Sequence, residues 1–335
     1  MNLQLFLSDR CNMACDYCWL SLNEGPAVVL DEAVARRAVR EHLARFGAKA
    51  QVTLLGGEPL IHVELVRSIL KEVRGRAPVA VATNGTRACP EVLKELSDLG
   101  ASIVLSLDGA PESHDARRPL VGSEDSSHAE ILRTLEASDV PLRVNMVVTA
   151  ATAPALLRNV EYLRSRGFKR LSFHPHVLEK WTTASLAELK AALDGFVRYY
   201  RALPPGALEL THLSSYARRL DVTAQAAEQD DDAILGADGN YYPCDGLFVR
   251  PYRELRRFAA EDLEKIARVR RLARLDIHLI LEYKPHYTCP REPYFHALAT
   301  GADQSDAVRR FHQADLIFGG ALARLAETKE ALRGR

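Results

Sequence analysis

Apolar and polar residues follow two periods along the first 175 residues. Short runs dense in Val, Ile, Leu and Phe read as strands: "LQLFLS" (3–8), "AQVTLL" (50–55), "VAVAT" (79–83), "SIVLSLD" (102–108), "LRVNMVV" (142–148) and "RLSFHP" (170–175). Between them, residues 31–46, 60–74, 89–99, 127–138 and 152–166 carry helical spacing. The second of these stretches puts Leu65, Val66, Ile69, Leu70 and Val73 on one face. Strands that are apolar throughout, each followed by a helix, predict a parallel sheet covered by helices. Six such units fit α/β architecture of the partial (β/α)6 TIM-like barrel kind, with chemistry at the C-terminal ends of the strands. A flat doubly wound sheet is the rival.

The pattern then changes. Residues 184–203 predict a further helix, and "PPG" (204–206) ends the alternation. "ILGADGNYYPC" (234–244) reads as two short strands around an Asp-Gly turn. Residues 260–282 and 304–333 read as helices. In the first of these, Ile266, Val269, Leu272 and Leu275 form the expected apolar stripe, leaving "RVRRLAR" (268–274) as the wet face. The expected organisation is a core domain over 1–205 and a mostly helical extension over 206–335 with a short β-hairpin.

Lys+Arg and Asp+Glu both number 44 in 335 residues, so the chain has no net charge and no polyanion-binding signature; no nucleic acid is expected as partner. No apolar run nears the roughly 20 residues that span a bilayer, so no membrane partner is expected. "MNLQLFLSDR" lacks the features of an export leader, and the expected location is cytoplasmic. In that setting the six cysteines (11, 15, 18, 89, 244 and 289) read as metal binding or catalysis before disulfides.

Three of them crowd into "CNMACDYC" (11–18), directly after the first strand. A structural zinc site would need a distant fourth ligand, and such sites favour paired Cys-x-x-Cys knuckles, of which no second one exists here. Iron–sulfur cubanes are held by thiolates, normally four. Three thiolates leave one iron open, which marks a catalytic rather than a structural centre.

Cys-x3-Cys-x2-Cys after the first strand resembles the signature of radical S-adenosylmethionine (SAM) enzymes. Tyr17 matches the aromatic usual before the last cysteine. Further matches follow in order: "GGEP" (56–59), "TNGT" (83–86), "SLDGAPESHDARR" (106–118) and Asn145 on the fifth strand. The 106–118 segment is similar to the S-x-D-G-x4-H-D-x2-R pattern of the subgroup containing anaerobic sulfatase-maturating and peptide-modifying enzymes. The resemblance implies a [4Fe–4S] cluster on Cys11, Cys15 and Cys18, with SAM completing the open iron. By the same resemblance, Gly56, Gly57 and Glu58 receive the methionine amino group, Ser106 contacts the ribose or carboxylate, and Arg118 pairs with the carboxylate. Asn145 falls where a polar residue often faces SAM.

"DGNYYPCDGLF" (238–248) resembles part of the C-terminal extension called SPASM in that subgroup. There the residue matching Cys244 ligates an auxiliary cluster, and the residue matching Asp245 is a catalytic base. This chain is cysteine-poor for such an extension. With only Cys244 and Cys289, buried small hydrophobes are the favoured expectation and an auxiliary Fe–S cluster the lesser one. His174 and His176 end the sixth strand, where either a functional or a packing role fits. Trp19, after the triplet, would shield a cluster or serve as core.

The expected activity is reductive SAM cleavage and hydrogen abstraction from a peptide or protein side chain, leading to cross-linking, oxidation or epimerisation, with flavodoxin or ferredoxin as electron donor. The alternative substrate is a small molecule: an amino sugar, nucleoside or amino acid. A non-catalytic iron–sulfur or zinc protein is the third reading, and it leaves "GGEP", Ser106 and Arg118 without a purpose.

Overall fold

A computed structural model describes the chain apart from residues 19, 21, 24, 136–137, 212, 214–232, 243, 245–262, 283–289 and 334–335. In chain order its elements are β1 (Asn2–Phe6), α1 (Glu32–Phe46), β2 (Gln51–Leu55), α2 (Val63–Val73), β3 (Val79–Thr83), α3 (Pro90–Asp98), β4 (Ala101–Ser106), α4 (Pro111–Asp115), α5 (Ser127–Leu135), β5 (Leu142–Val148), α6 (Leu156–Ser165), β6 (Arg170–Pro175), α7 (Thr183–Ala202), β7 (Glu209–Leu210), β8 (Ala233–Leu235), β9 (Tyr241–Tyr242), α8 (Leu263–Ile280), α9 (Arg291–Thr300) and α10 (Gln304–Arg333). Single 3-10 turns precede β2, α2 and α6.

The chain forms two compact units. The first comprises Met1–Ser106, Asp115–Leu142 and Glu228–Leu272; the second comprises Leu107–His114, Arg143–Ala227 and Ala273–Arg335.

In the first unit the strands pair in the order β4-β3-β2-β1-β8, all parallel, and β9 closes the series antiparallel to β8. Strands with parallel neighbours on both sides are covered on both faces, hence the continuous apolar runs. Leu3, Leu5, Val52, Leu54 and Val81 are all buried. Their helices begin and face as the sequence dictates. The Asp31 side chain accepts from the Val34 N–H at 3.0 Å and starts α1. All five apolar positions of α2 are buried.

In the second unit β5, β6 and β7 pair in parallel. A reciprocal Thr182–Ser185 capping box starts α7. Phe173 of β6 meets Phe196 of α7 at 5.0 Å and Phe318 of α10 at 5.6 Å, both edge-on.

Strand order is sequential within each series of consecutive βα units. A doubly wound sheet would reverse direction at a switch point. The fold is therefore the open α/β fold of the partial (β/α)6 barrel kind, with a mainly parallel sheet that does not close, and the described C-terminal residues are mostly helical apart from the short β8–β9 hairpin.

One expectation fails. Among the described side chains of α8 the buried ones are Ile266, Arg270, Ala273 and Ile277, while Leu272 and Leu275 are 52% and 60% exposed. Positions spaced uniformly by three slip backwards round a helix of 3.6 residues per turn, so 266, 269, 272 and 275 cannot share one face. The alternation of four and three that does stay in line runs through Arg270, which is only 2% exposed; its long apolar stem makes burial feasible. Three elements were not anticipated: α4, α9 and β7 are too short or too mixed to show a period.

Candidate active site

The cysteine loop leaves the end of β1 and is fixed by the glycines that follow β2. The Leu7 N–H donates to the Leu55 carbonyl at 2.8 Å, the Gly57 N–H to Ser8 and the Glu58 N–H to Arg10, each at 2.8 Å. This ladder brings backbone against backbone. A Cβ on Gly57 would stand 1.9 Å from the Arg10 carbonyl oxygen; one on Gly56, at φ +137°, would stand 2.9 Å from the Leu7 nitrogen. Only glycine fits such an approach.

The far side of the loop is zipped to residues 117–121. The Ala14 N–H donates to Pro119 at 2.8 Å, Asp16 to Arg117 at 3.1 Å, and Val121 to Asn12 at 2.9 Å. Asn23, left-handed at φ 61°, brackets Cys11: its amide donates to the Cys11 carbonyl at 2.8 Å and accepts from the Cys11 N–H at 3.1 Å. The Cys18 N–H turns back to the Cys15 carbonyl at 3.1 Å.

N–H groups point at the sulfurs. Cys11 Sγ accepts from the Met13 N–H at 3.4 Å and from Asn84 Nδ2 at 3.7 Å. Arg118 Nη1 lies 4.0 Å from Cys15 Sγ, and its guanidinium sits 5.1 Å above the Tyr17 ring. Burial pushes the Cys11 thiol up to about 11, against the pull of the Met13 N–H. A bound metal reverses that preference, because a coordinating thiol is deprotonated outright. Among the described residues, no three His, Cys, Asp or Glu side chains converge as for a single ion. A cubane does not need them to, since each thiolate takes a different iron. Three thiols on one braced loop, with N–H donors at two of the sulfurs, suit such a cluster better than a mononuclear zinc.

Glu58 differs from the expectation of a carboxylate held out to an ammonium group. It is 1% exposed, and its own chain engages both oxygens. Oε1 accepts from the Leu60 N–H at 2.9 Å and the Thr83 hydroxyl at 2.6 Å; Oε2 accepts from the Asn84 N–H at 2.7 Å. Burial raises its pKa, opposed by these three donors. Glu58 thus ties the turn after β2 to the turn after β3.

The 106–118 segment has its own internal logic. Ser106 ends β4, half-buried. The Asp108 carboxylate accepts from the Val147 N–H at 3.0 Å, and the Asp108 N–H donates to His114 Nδ1 at 3.2 Å. Asp115 caps α5 from a distance, accepting from the His128 N–H at 2.9 Å and from the hydroxyls of Ser126 and Ser127. The Ser127 hydroxyl donates in turn to the Arg118 carbonyl at 2.7 Å. In the second unit, Asn145 of β5 accepts from the Ser172 hydroxyl at 2.8 Å.

The first unit thus gathers Cys11, Cys15, Tyr17, Gly57, Glu58 and Arg118 around one loop. Sequence reasoning passed over Asn12, Asn23, Asn84 and Thr86, which orient that loop. "TNGT" was visible as a motif, but its side-chain roles were not. Cys244 follows β9 and is 5% exposed. Asp245, Cys289, His286 and Trp19 lie outside the described residues. Among the described residues, no helix is long and apolar enough to cross a membrane.

An open α/β sheet with a three-thiol loop after its first strand defines a class of iron–sulfur enzyme. The Radical SAM superfamily model matches residues 5–191, and the chain belongs to that superfamily. A [4Fe–4S] cluster and SAM are accordingly its cofactors. The chain is 26% identical over 179 residues to the uncharacterized protein MJ0907 of Methanocaldococcus jannaschii, covering 51% of this chain and 61% of that one. It is 27% identical over 283 residues to a GTP 3',8-cyclase of a Mycobacterium species, covering 76% and 78%. Among solved structures, native anSMEcpe with bound AdoMet superimposes with a TM-score of 0.72 at 17% identity, over 97% of this chain and 99% of that one. That likeness is one of fold. The chain spans between 46% and 61% of the first curated relatives it matches.

Proposed function

We propose that this radical SAM enzyme removes hydrogen from carbon in a peptide or protein side chain. The observation that carries the reading is the 106–118 segment, whose pattern resembles that of peptide-modifying members and whose Asp108, His114 and Asp115 side chains are held by hydrogen bonds. A fold likeness spanning nearly the whole of anSMEcpe, which has also been solved with AdoMet and a Cp18Cys peptide, supports it.

In this reading Cys11, Cys15 and Cys18 hold the cluster. Bound together, cluster and SAM supply a 5′-deoxyadenosyl radical. Arg118 takes the methionine carboxylate in a charge-assisted pair, with Tyr17 stacked beneath it. The Gly56–Gly57 carbonyls accept from the methionine ammonium, and Glu58 keeps them in place. Ser106 and Asn145 hold the remainder of SAM. Asp245 serves as the base that collects a proton from the oxidised side chain. Flavodoxin or ferredoxin delivers the electron, and residues 1–205 act as the catalytic core with 206–335 as its C-terminal extension.

The test uses a fully deuterated lysate split by ultrafiltration into peptide and small-molecule fractions. Reduced enzyme and unlabelled SAM are incubated with each. Deuterium in 5′-deoxyadenosine from the peptide fraction supports the proposal; deuterium only from the small-molecule fraction overturns it.

A small-molecule substrate is the second reading. The GTP 3',8-cyclase relative, matched over about three quarters of both chains, and the cysteine-poor extension favour it.

A further inference from the structure

The turn after β3 places a side-chain amide on one of the three thiols. Asn84 is buried. Its Nδ2 lies 3.7 Å from Cys11 Sγ and 3.0 Å from Asn12 Oδ1. The orientation of this amide is forced. Its Oδ1 accepts the Thr86 N–H at 3.0 Å, a donor that an NH₂ group could not face, and also the Thr86 hydroxyl at 2.7 Å. Thr86 is fixed in turn: its hydroxyl oxygen accepts from Asn12 Nδ2 at 2.6 Å. Asn12 is the neighbour of Cys11, so the ring of contacts closes on the thiol it serves. Underneath, Glu58 accepts the Asn84 N–H at 2.7 Å and ties the backbone of the same residue.

Every hydrogen-bonding group of the Asn84 amide but one N–H is committed to protein oxygens. That N–H has sulfur as its acceptor. Hydrogen bonds to cluster sulfurs are among the levers that set iron–sulfur potentials, because a donor stabilises the more negative, reduced state more than the oxidised one.

We propose that Asn84 is a positioning residue that sets the reduction potential of the cluster through an N–H···Sγ bond to Cys11, with Thr86 and Asn12 holding the amide to that task. The inference rests on Cys11 being a cluster ligand. It gives "TNGT" a purpose distinct from binding SAM: the motif makes the cluster easier to reduce.

The experiment is a redox titration of the anaerobically reconstituted full chain without SAM, followed by the electron paramagnetic resonance signal of the reduced cluster. Wild type is compared with Asn84→Ala, Asn84→Asp and Thr86→Val. Asn84→Asp retains the acceptor for Thr86 and replaces the donor by charge. One net hydrogen bond of about 1.4 kcal/mol corresponds to a tenfold change in equilibrium. At the poise that half-reduces wild type, the reduced-to-oxidised ratio should therefore fall about tenfold in Asn84→Ala, equivalent to 59 mV for one electron. It should fall further in Asn84→Asp and part of the way in Thr86→Val.

Loaded variants that titrate with wild type overturn the proposal. If neither Asn84 variant takes up iron, Thr86→Val decides: a lowered ratio supports the role and an unchanged one overturns it. Wild type that assembles no cluster would instead overturn the assignment of Cys11 as ligand, so the two failures are distinct.

Discussion

At the scale of single residues, the site is governed by what cannot be larger and what cannot be replaced. Gly57 is the sharpest case. A methyl group there would overlap the Arg10 carbonyl at 1.9 Å, and the neighbour is backbone, which cannot swing aside. Gly57→Ala should cost about 2–3 kcal/mol by displacing the cysteine loop. The reconstituted variant should hold less than half the wild-type iron; normal iron content with a normal melting temperature would show that the loop tolerates the shift. Arg118 combines a planar stack on Tyr17 with reach to Cys15, a pairing that lysine cannot reproduce. Arg118→Lys should keep the cluster yet weaken SAM binding about tenfold, read by titrating the cluster's resonance signal with SAM. Unchanged affinity would remove Arg118 from the SAM site. Such residues were legible in different degrees. The cysteines and glycines announce themselves because chemistry and sterics each demand one residue type. Asn84 and Thr86 stayed hidden because an amide's worth depends on which way it is turned, and only the three-dimensional neighbours fix that.

At the scale of elements, charged and capping groups connect helices that the periodicity had already located. Glu72 of α2 gathers three arginines: Arg36 and Arg40 of α1 at 3.1 Å, and Arg76 at 3.2 Å. Burial pushes its carboxyl up, but Arg36 and Arg40 outweigh that and hold it below its ordinary 4.5. A carboxylate with a lowered native pKa stabilises the fold above its unfolded pKa, and this contribution is lost as pH falls through the native value. The arginines are half-exposed, so the network should be worth only about 1 kcal/mol. Glu72→Gln should lower the urea midpoint at pH 7, and the gap to wild type should narrow as pH falls below 4.5. A gap that persists in acid would assign the loss to packing instead. The Asp115 cap works across sequence rather than within it. Asp115→Ala should cost about 1–2 kcal/mol and, through Ser127 and the Arg118 carbonyl, raise the SAM dissociation constant. The cap could be lost without moving Arg118; SAM affinity equal to wild type would say so. Element boundaries were readable to within a few residues wherever a strand or helix had one clean period. In α8 the boundaries were readable as well, and the buried face was not, because an arginine interrupts the apolar stripe.

At the scale of the whole chain, the sequence divides into a part whose chemistry is spelled out and a part where the motifs thin. The first four strands each end in a recognisable motif, because a barrel gathers strand ends and so writes its site in order along the chain. After residue 205 that regularity stops, and what β8 does could not be anticipated: it extends the sheet by pairing in parallel with β1, the strand that leads into the cysteine loop. The β8–β9 hairpin therefore has a structural reason to exist without any auxiliary cluster. Cys244 follows it, 5% exposed, beyond the buried Tyr241 and Tyr242, a burial that suits the expectation of a small hydrophobe. Reconstituted wild type should then carry about four irons per chain, one cubane's worth. Cys244→Ala should leave that number unchanged and preserve 5′-deoxyadenosine formation, with a stability loss of about 1 kcal/mol for the missing sulfur. About eight irons in wild type, falling to four in the variant, would instead make Cys244 a ligand. It would also restore the electron acceptor that the oxidation of a peptide radical requires. With four irons, the substrate radical left by hydrogen abstraction must give its electron to another acceptor or be quenched by a hydrogen-atom donor, the step that epimerisation needs. Iron content thus bears on the reaction class as well as the cofactor count: four irons favour redox-neutral outcomes such as epimerisation over oxidation to a carbonyl.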